Sequence, residues 1–176
     1  MTVDITETVL RTIRPIPDYP RPGILFQDIT PVLRDAALFG RVVRAMADPF
    51  GGSGVTHVVG IEARGFILGG AVATSLGAGF VPARKPGKLP WERVREDYAL
   101  EYGSDALEAH RDALPAGARA LVVDDVLATG GTARAAGRLA RALGAHLVGW
   151  SFLLEIGGLD GRQRLADADI QVLAAV

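Results

Sequence analysis

The sequence predicts an α/β protein built on a mainly parallel, twisted sheet with helices packed on its faces. Three observations carry that expectation. Apolar runs with no polar alternation occur at 55–61, 121–123 and 146–154, as strands buried on both faces require. Two of these runs pass through a short loop into a helical pattern. The first leads to a small-residue helix at 65–77, the second to a helix with apolar Ala133, Ala136, Leu139, Ala140 and Leu143. Strands and helices that alternate in this way need crossover connections, and hence parallel pairing. At 176 residues the chain is expected to form one domain over 1–176, with a small N-terminal hood over 1–34 and a core over 35–176.

Bulk properties exclude several functions. Nineteen basic and twenty acidic residues leave a net charge of −1, so neither a nucleic acid nor a membrane surface is an expected partner. There is no cysteine, which removes disulfides, thiolate catalysis and Cys-based metal sites. His57, His110 and His146 are isolated, without metal-ligand spacing. Asp4 and Glu7 rule out a secretory signal, and no apolar run approaches the ~20 residues of a membrane span. A cytoplasmic protein is expected.

Taken in order, Asp4 opens a helix whose apolar face is Ile5, Val9, Leu10 and Ile13, and Pro15 stops it. Four prolines in 15–23 give an ordered irregular segment, read as a hood over the sheet rather than a linker. Thr30 is the expected N-cap of the next helix, with Pro31 at its first position. Asp35 opens another helix through Met46, and the Gly-rich stretch 51–54 ends it. The strand at 55–61 then runs into Glu62-Ala63-Arg64-Gly65. An arginine at a helix N-terminus gains nothing from the dipole, so Arg64 is read as serving a ligand anion; a surface ion pair with Glu62 is the other reading.

A short strand over 79–83 ends in Arg84-Lys85-Pro86-Gly87-Lys88, three positive charges within five residues. Residues 89–97 are charged with little periodicity and are read as a mobile lid. The stretch 98–102 alternates, Gly103 and Ser104 supply a turn, and 105–113 returns, so a lid or flap is expected over about 89–113. Glu101 and Tyr102 sit at its end; taken alone, Glu101 reads as an exposed strand carboxylate. A short helix over 158–166 and an edge strand over 170–174 complete the chain.

The most informative string is A-R-A-L-V-V-D-D-V-L-A-T-G-G-T-A, from 118 to 133. A strand, a Gly-rich turn and a helix start make an anion site. The first helical N–H groups lack partners and carry roughly half a positive charge. Gly130 and Gly131 let the backbone close on a phosphate, while Thr129 and Thr132 add hydroxyls. Asp124 and Asp125 would repel a phosphate, so they need another role: hydrogen bonding a sugar diol, with Mg²⁺ nearby to offset their charge. An ordinary strand–helix turn with two acids is the alternative. Neither G-x-x-x-x-G-K-[ST] nor G-x-G-x-x-G is present, which excludes P-loop and Rossmann sites. If the strands ending at 61, 83 and 123 are neighbours, their ends converge on one polyphosphate site, since ligands bind beyond strand C-termini in open parallel sheets.

This string resembles the phosphoribosyl-diphosphate (PRPP) motif of the type I phosphoribosyltransferases. Five segments together, I-R-P-I-P-D-Y-P-R-P-G-I-L-F-Q-D-I-T, E-A-R-G-F, R-K-P-G-K-L-P, Y-A-L-E-Y-G and L-V-V-D-D-V-L-A-T-G-G-T, are similar to the adenine-specific branch, in the family's order, and cover most of 12–134. The resemblance implies the type I fold and a purine-salvage reaction: adenine and PRPP give AMP and diphosphate, with Mg²⁺ held mainly by the diphosphate and water near Asp124 and Asp125. It further implies a homodimer. By the same resemblance, Asp124 and Asp125 hold the ribose hydroxyls, and Ala128, Thr129, Gly130, Gly131 and Thr132 wrap the 5′-phosphate. Arg64, Arg84, Lys85 and Lys88 bind diphosphate, and whether one of the basic residues acts across the dimer interface is left open. Phe26 stacks on adenine while Leu25 and Gln27 read its edge through their backbones, Tyr102 touches substrate, and Glu101 is the acid/base residue. A non-proline cis peptide is expected at 62–63. The family often has arginine where this chain has Gln27. Two alternatives stay open: a transferase for hypoxanthine, guanine or xanthine, and a PRPP-sensing regulator without catalysis.

Overall fold

Along the strand β7 (Arg119–Leu127), Leu121 and Val123 pack into one buried cluster and Ala120 and Val122 into another, the period-two division of a sheet covered on both sides. A computed structural model describes residues 4–99 and 103–176 and shows what supplies those two cores. Five strands form the sheet: β3 (His57–Ile61), β4 (Gly79–Ala83), β7, β8 (His146–Glu155) and β9 (Asp169–Ala175). Their order is β4-β3-β7-β8-β9, and every neighbouring pair is parallel.

One face is covered by α1 (Ile5–Thr12), α3 (Ala36–Ala47) and α4 (Arg64–Leu76), through Val9, Val42, Met46, Leu68 and Val72. The sequence explains their starts. Asp4 accepts from the Thr6 N–H (3.1 Å) and Asp35 from the Leu38 N–H (3.0 Å), satisfying donors that a helix end leaves unpaired. The short α2 (Thr30–Arg34) differs from expectation. Thr30 does not cap it; Asp28 accepts from both the Thr30 N–H and its hydroxyl, each at 2.9 Å. The Thr30 hydroxyl is thus turned back to donate to Asp28, instead of accepting from the first N–H groups of the helix.

The other face is covered by α5 (Gly131–Ala142) and by a hairpin of β5 (Arg93–Ala99) and β6 (Ser104–His110). Here Trp150 is fully buried against Gly137, where any side chain would enter the indole's space. Trp150→Ala is expected to cost about 3–5 kcal/mol by cavity formation, read as a lower urea midpoint at unchanged slope.

The hairpin departs from the sequence reading. Residues 93–97, read as charged with little periodicity, belong to a strand that continues into the expected arm at 98–99. Tyr98, Ala106, Leu107 and Ala109 are buried, and Arg138 of α5 pairs with Glu96 at 2.6 Å. Residues 100–102 lie outside the described residues. At the other end of the chain, β1 (Arg14–Ile16) and β2 (Phe26–Asp28) form a two-stranded antiparallel hood. A four-residue helix, α6 (Gly161–Arg164), packs beside the loop that follows β7. No helix among the described residues is long and apolar enough to cross a membrane.

Candidate functional site

Because β4, β3 and β7 are adjacent, their C-terminal ends bring the basic loop, the arginine loop and the Gly-rich loop to one edge of the sheet. The Gly-rich loop is the best formed. Gly130 adopts a left-handed conformation (φ 78°), and no described side chain caps α5. The first N–H groups of that helix therefore remain for a ligand anion, with the helix dipole behind them. A small cleft here is lined by Asp124, Val126, Leu127, Ala128, Thr129, Gly130, Gly131, Thr132 and Ala133.

The two acids lie within β7 rather than after it, and the structure separates them. Asp124 lines the cleft and accepts from the Asp125 N–H at 2.9 Å. Burial of its carboxyl pushes its pKa well above the ordinary carboxylate range, and the neighbouring Asp125 charge pushes the same way. Arg64 opposes that shift only in part. Asp125 is 4% exposed and forms a close ion pair with the Arg64 Nε. The Arg64 guanidinium also lies 5.1 Å from the centre of the Phe26 ring, so one side chain joins the hood to the acid pair.

Gly65 makes this approach feasible. A Cβ added there would lie 2.7 Å from the Asp124 Oδ1 and 3.0 Å from the Val123 carbonyl. Gly65→Ala is expected to displace the Asp124 carboxylate and cost about 1–3 kcal/mol, read as a lower melting temperature. The peptide between Glu62 and Ala63 is cis.

The basic loop is held by acids that the sequence reading did not assign to it. Arg84 pairs with Glu62 at 2.8 Å and donates to the Lys88 carbonyl at 3.1 Å, and its guanidinium lies 5.9 Å from the Phe66 ring centre. Glu62 is thus the partner of Arg84 and not of Arg64. Lys85 donates to the Tyr98 hydroxyl (2.8 Å) and pairs closely with Asp105. Burial lowers the Lys85 pKa, but these two partners outweigh it and leave the amine more basic than usual. Asp105 shifts the other way: burial raises its pKa, and the bonds from Lys85 and the Ala106 N–H more than reverse that. The Lys88 side chain is exposed. Val94 and Tyr98, four residues apart on β5 with the charged Glu96 between them, are the sequence signal that could have pointed to Tyr98.

In the hood, Phe26 is half-buried and meets Tyr19 edge-on with centroids 5.1 Å apart. Gln27 is 9% exposed and Leu25 is 56% exposed. Glu101 and Tyr102 lie outside the described residues. The residues brought together are therefore Phe26, Arg64, Asp124, Asp125 and the 128–132 loop, with Arg84, Lys85 and Lys88 on the neighbouring strand end.

A divalent cation fits this donor set in one way only. Among the described residues no three acidic or imidazole groups cluster, so no all-protein cage exists. Two adjacent carboxylates beside an anion cradle are instead the setting in which Mg²⁺ is shared between carboxylate, phosphate and water.

A strand-end cradle with paired acids on a parallel sheet is the architecture of phosphoribosyl transfer. A phosphoribosyl transferase domain model matches residues 36–170. The adenine phosphoribosyltransferase of Myxococcus xanthus is 60% identical over 92% of this chain and 88% of its own length. The crystal structure of the Rhodothermus marinus adenine phosphoribosyltransferase superimposes with a TM-score of 0.94 at 50% identity, covering 98% of both chains. That of the Saccharomyces cerevisiae enzyme, complexed with adenine and an imino-altritol bisphosphate, gives a TM-score of 0.90 at 39% identity over 96% and 98%. The chain belongs to the phosphoribosyltransferase family, in its adenine phosphoribosyltransferase branch.

Proposed function

We propose that this protein transfers the 5-phosphoribosyl group from PRPP to adenine, giving AMP and diphosphate in purine salvage. The observation that carries the reading is the α5 N-terminus beside Asp124, which no described side chain caps, with Arg64 linking the acid pair to Phe26. Relatives named for this activity cover nearly the whole chain, and one of them was crystallised with adenine and a bisphosphate. In this reading Ala128 to Thr132 hold the 5′-phosphate with backbone N–H groups and two hydroxyls. Asp124 and Asp125 accept from the ribose hydroxyls. Arg64 turns from Phe26 and Asp125 toward the diphosphate, and Lys85 exchanges Asp105 and Tyr98 for the same group. Phe26 then stacks on the base, with the Leu25 and Gln27 backbones at its polar edge.

The bond from C1′ to the diphosphate oxygen breaks, and the bond from an adenine ring nitrogen to C1′ forms. Fixed cations on the leaving side stabilise charge that develops only in the transition state, commonly the largest catalytic contribution. Mg²⁺, when bound with PRPP near Asp124 and Asp125, neutralises part of the diphosphate charge. Glu101 receives the ring proton as adenine bonds to the sugar, a contribution on the order of 10²–10⁴ in rate. Residues 89–113 exclude water that would otherwise hydrolyse PRPP. The enzyme works as a cytoplasmic homodimer, without nucleic acid or membrane.

The base is tested by comparing adenine, hypoxanthine and guanine with PRPP and Mg²⁺ in parallel. Adenine presents an amine where the others present a carbonyl, so a pocket that accepts from the amine rejects them. Selective turnover of adenine is expected, and preferential turnover of hypoxanthine would overturn the adenine assignment.

A further inference from the structure

We infer that Glu108, a buried acid outside the chemistry above, is a positioning residue for the diphosphate-binding loop; the inference rests on the phosphoribosyl-transfer reading. Glu108 is 3% exposed, and a carboxylate so enclosed is costly unless its charge is matched and its oxygens are bonded. Its partners are specific. One oxygen, Oε2, accepts from the Gly87 N–H at 3.0 Å and pairs with the Arg93 Nε at 3.1 Å. The Glu108 backbone also exchanges two hydrogen bonds with Arg84, the Arg84 N–H donating at 2.8 Å and the Glu108 N–H at 2.7 Å.

Thus Glu108 holds the Arg84–Lys88 turn at both ends, by backbone at Arg84 and by side chain at Gly87. Gly87 is the pivot of that turn (φ 77°), so the carboxylate that holds its N–H fixes where the chain reverses. The turn is thereby held from its inner side, and its outer side is left to the ligand. Arg93 closes the arrangement from β5, so the hairpin and the loop share one carboxylate. The expected consequence is selective: Glu108 supports the binding of diphosphate and not of a ligand that occupies only the 5′-phosphate cradle.

The test is calorimetric titration of the full chain and of its E108A and E108Q variants with two probes, PRPP in Mg²⁺ and AMP. AMP has the 5′-phosphate and base but no diphosphate. E108A is expected to weaken PRPP roughly tenfold or more while AMP stays within about twofold. E108Q keeps an acceptor for the Gly87 N–H but loses the charge facing Arg93, so its PRPP loss should be selective and smaller. Should E108A fail to fold, the same selective loss in E108Q supports the inference. Equal weakening of both probes would show a merely structural role, and unchanged PRPP affinity in both variants would show no role; either overturns it. Wild-type protein that binds neither probe would instead overturn the phosphoribosyl-transfer reading.

Discussion

Gly130→Val is expected to lower kcat/KM for PRPP by about 10²–10³ or more, the loss that follows removal of even one well-placed anion donor. Gly130 sits at φ 78°, where a β-branched residue is a steric outlier. The added Cβ would also lie 2.8 Å from the Gly161 carbonyl and 3.3 Å from its Cα. Both are backbone atoms of α6 and cannot turn aside as a side chain could. The loop must therefore leave its conformation, and the N–H groups of α5 lose their common aim. Gly70→Ala, in α4 and outside the cradle, is the control. No described atom beyond the local helix backbone lies within 4 Å of a Cβ there, so turnover within about tenfold of wild type is expected. Steady-state kinetics with varied PRPP separate the two. Equal losses in both variants would contradict the assigned role of the Gly130–Gly161 contact.

Asp124→Asn should act in opposite directions on stability and activity. Burial raises the Asp124 pKa in the folded protein, so between the unfolded value near 4 and the raised value the native state binds the extra proton. Stability is then fully present below about pH 4 and is lost as pH rises through the raised pKa. Asparagine mimics the neutral form and keeps an oxygen for the Asp125 N–H. The variant is thus expected to melt above wild type at pH 8, with the difference closing toward pH 4. Its kcat/KM for PRPP should fall about 10–150-fold, the range for losing a hydrogen bond to a charged group. Thermal melts across pH and steady-state kinetics check the two halves. A variant that melts lower than wild type at pH 8 would contradict the strained-carboxylate account.

The sheet was legible wherever burial on both faces left an unbroken apolar run. The strand expected at 79–83 has those bounds in the structure, and the strand reaching Ile61 runs into the arginine loop as expected. The acid pair was recognised but placed too late. Asp124 and Asp125 end the apolar run, while the ladder to β8 continues to Leu127. The first part of strand β5, 93–97, was missed because its inward residues include Glu96, whose charge hides the alternation. Arg138, supplied by a helix far along the chain, is what makes that position acceptable inside. Ion-pair partners were unreadable for the same reason. Arg64 and Asp125 are 61 residues apart, and only the β4-β3-β7 order decides that Arg64 meets Asp125 while Glu62 meets Arg84. Glu108 reads as one more hairpin residue until the fold places Gly87 over it.

The measurement closest to the central claim is AMP and diphosphate formation from PRPP, Mg²⁺ and adenine, by wild-type protein beside Gly130→Val. Equimolar AMP and diphosphate from the wild type, and their near-complete loss in the variant, are the predicted result. Undiminished product from Gly130→Val would contradict the cradle as the phosphoribosyl site, and no AMP from wild-type protein that still binds PRPP would contradict catalysis itself.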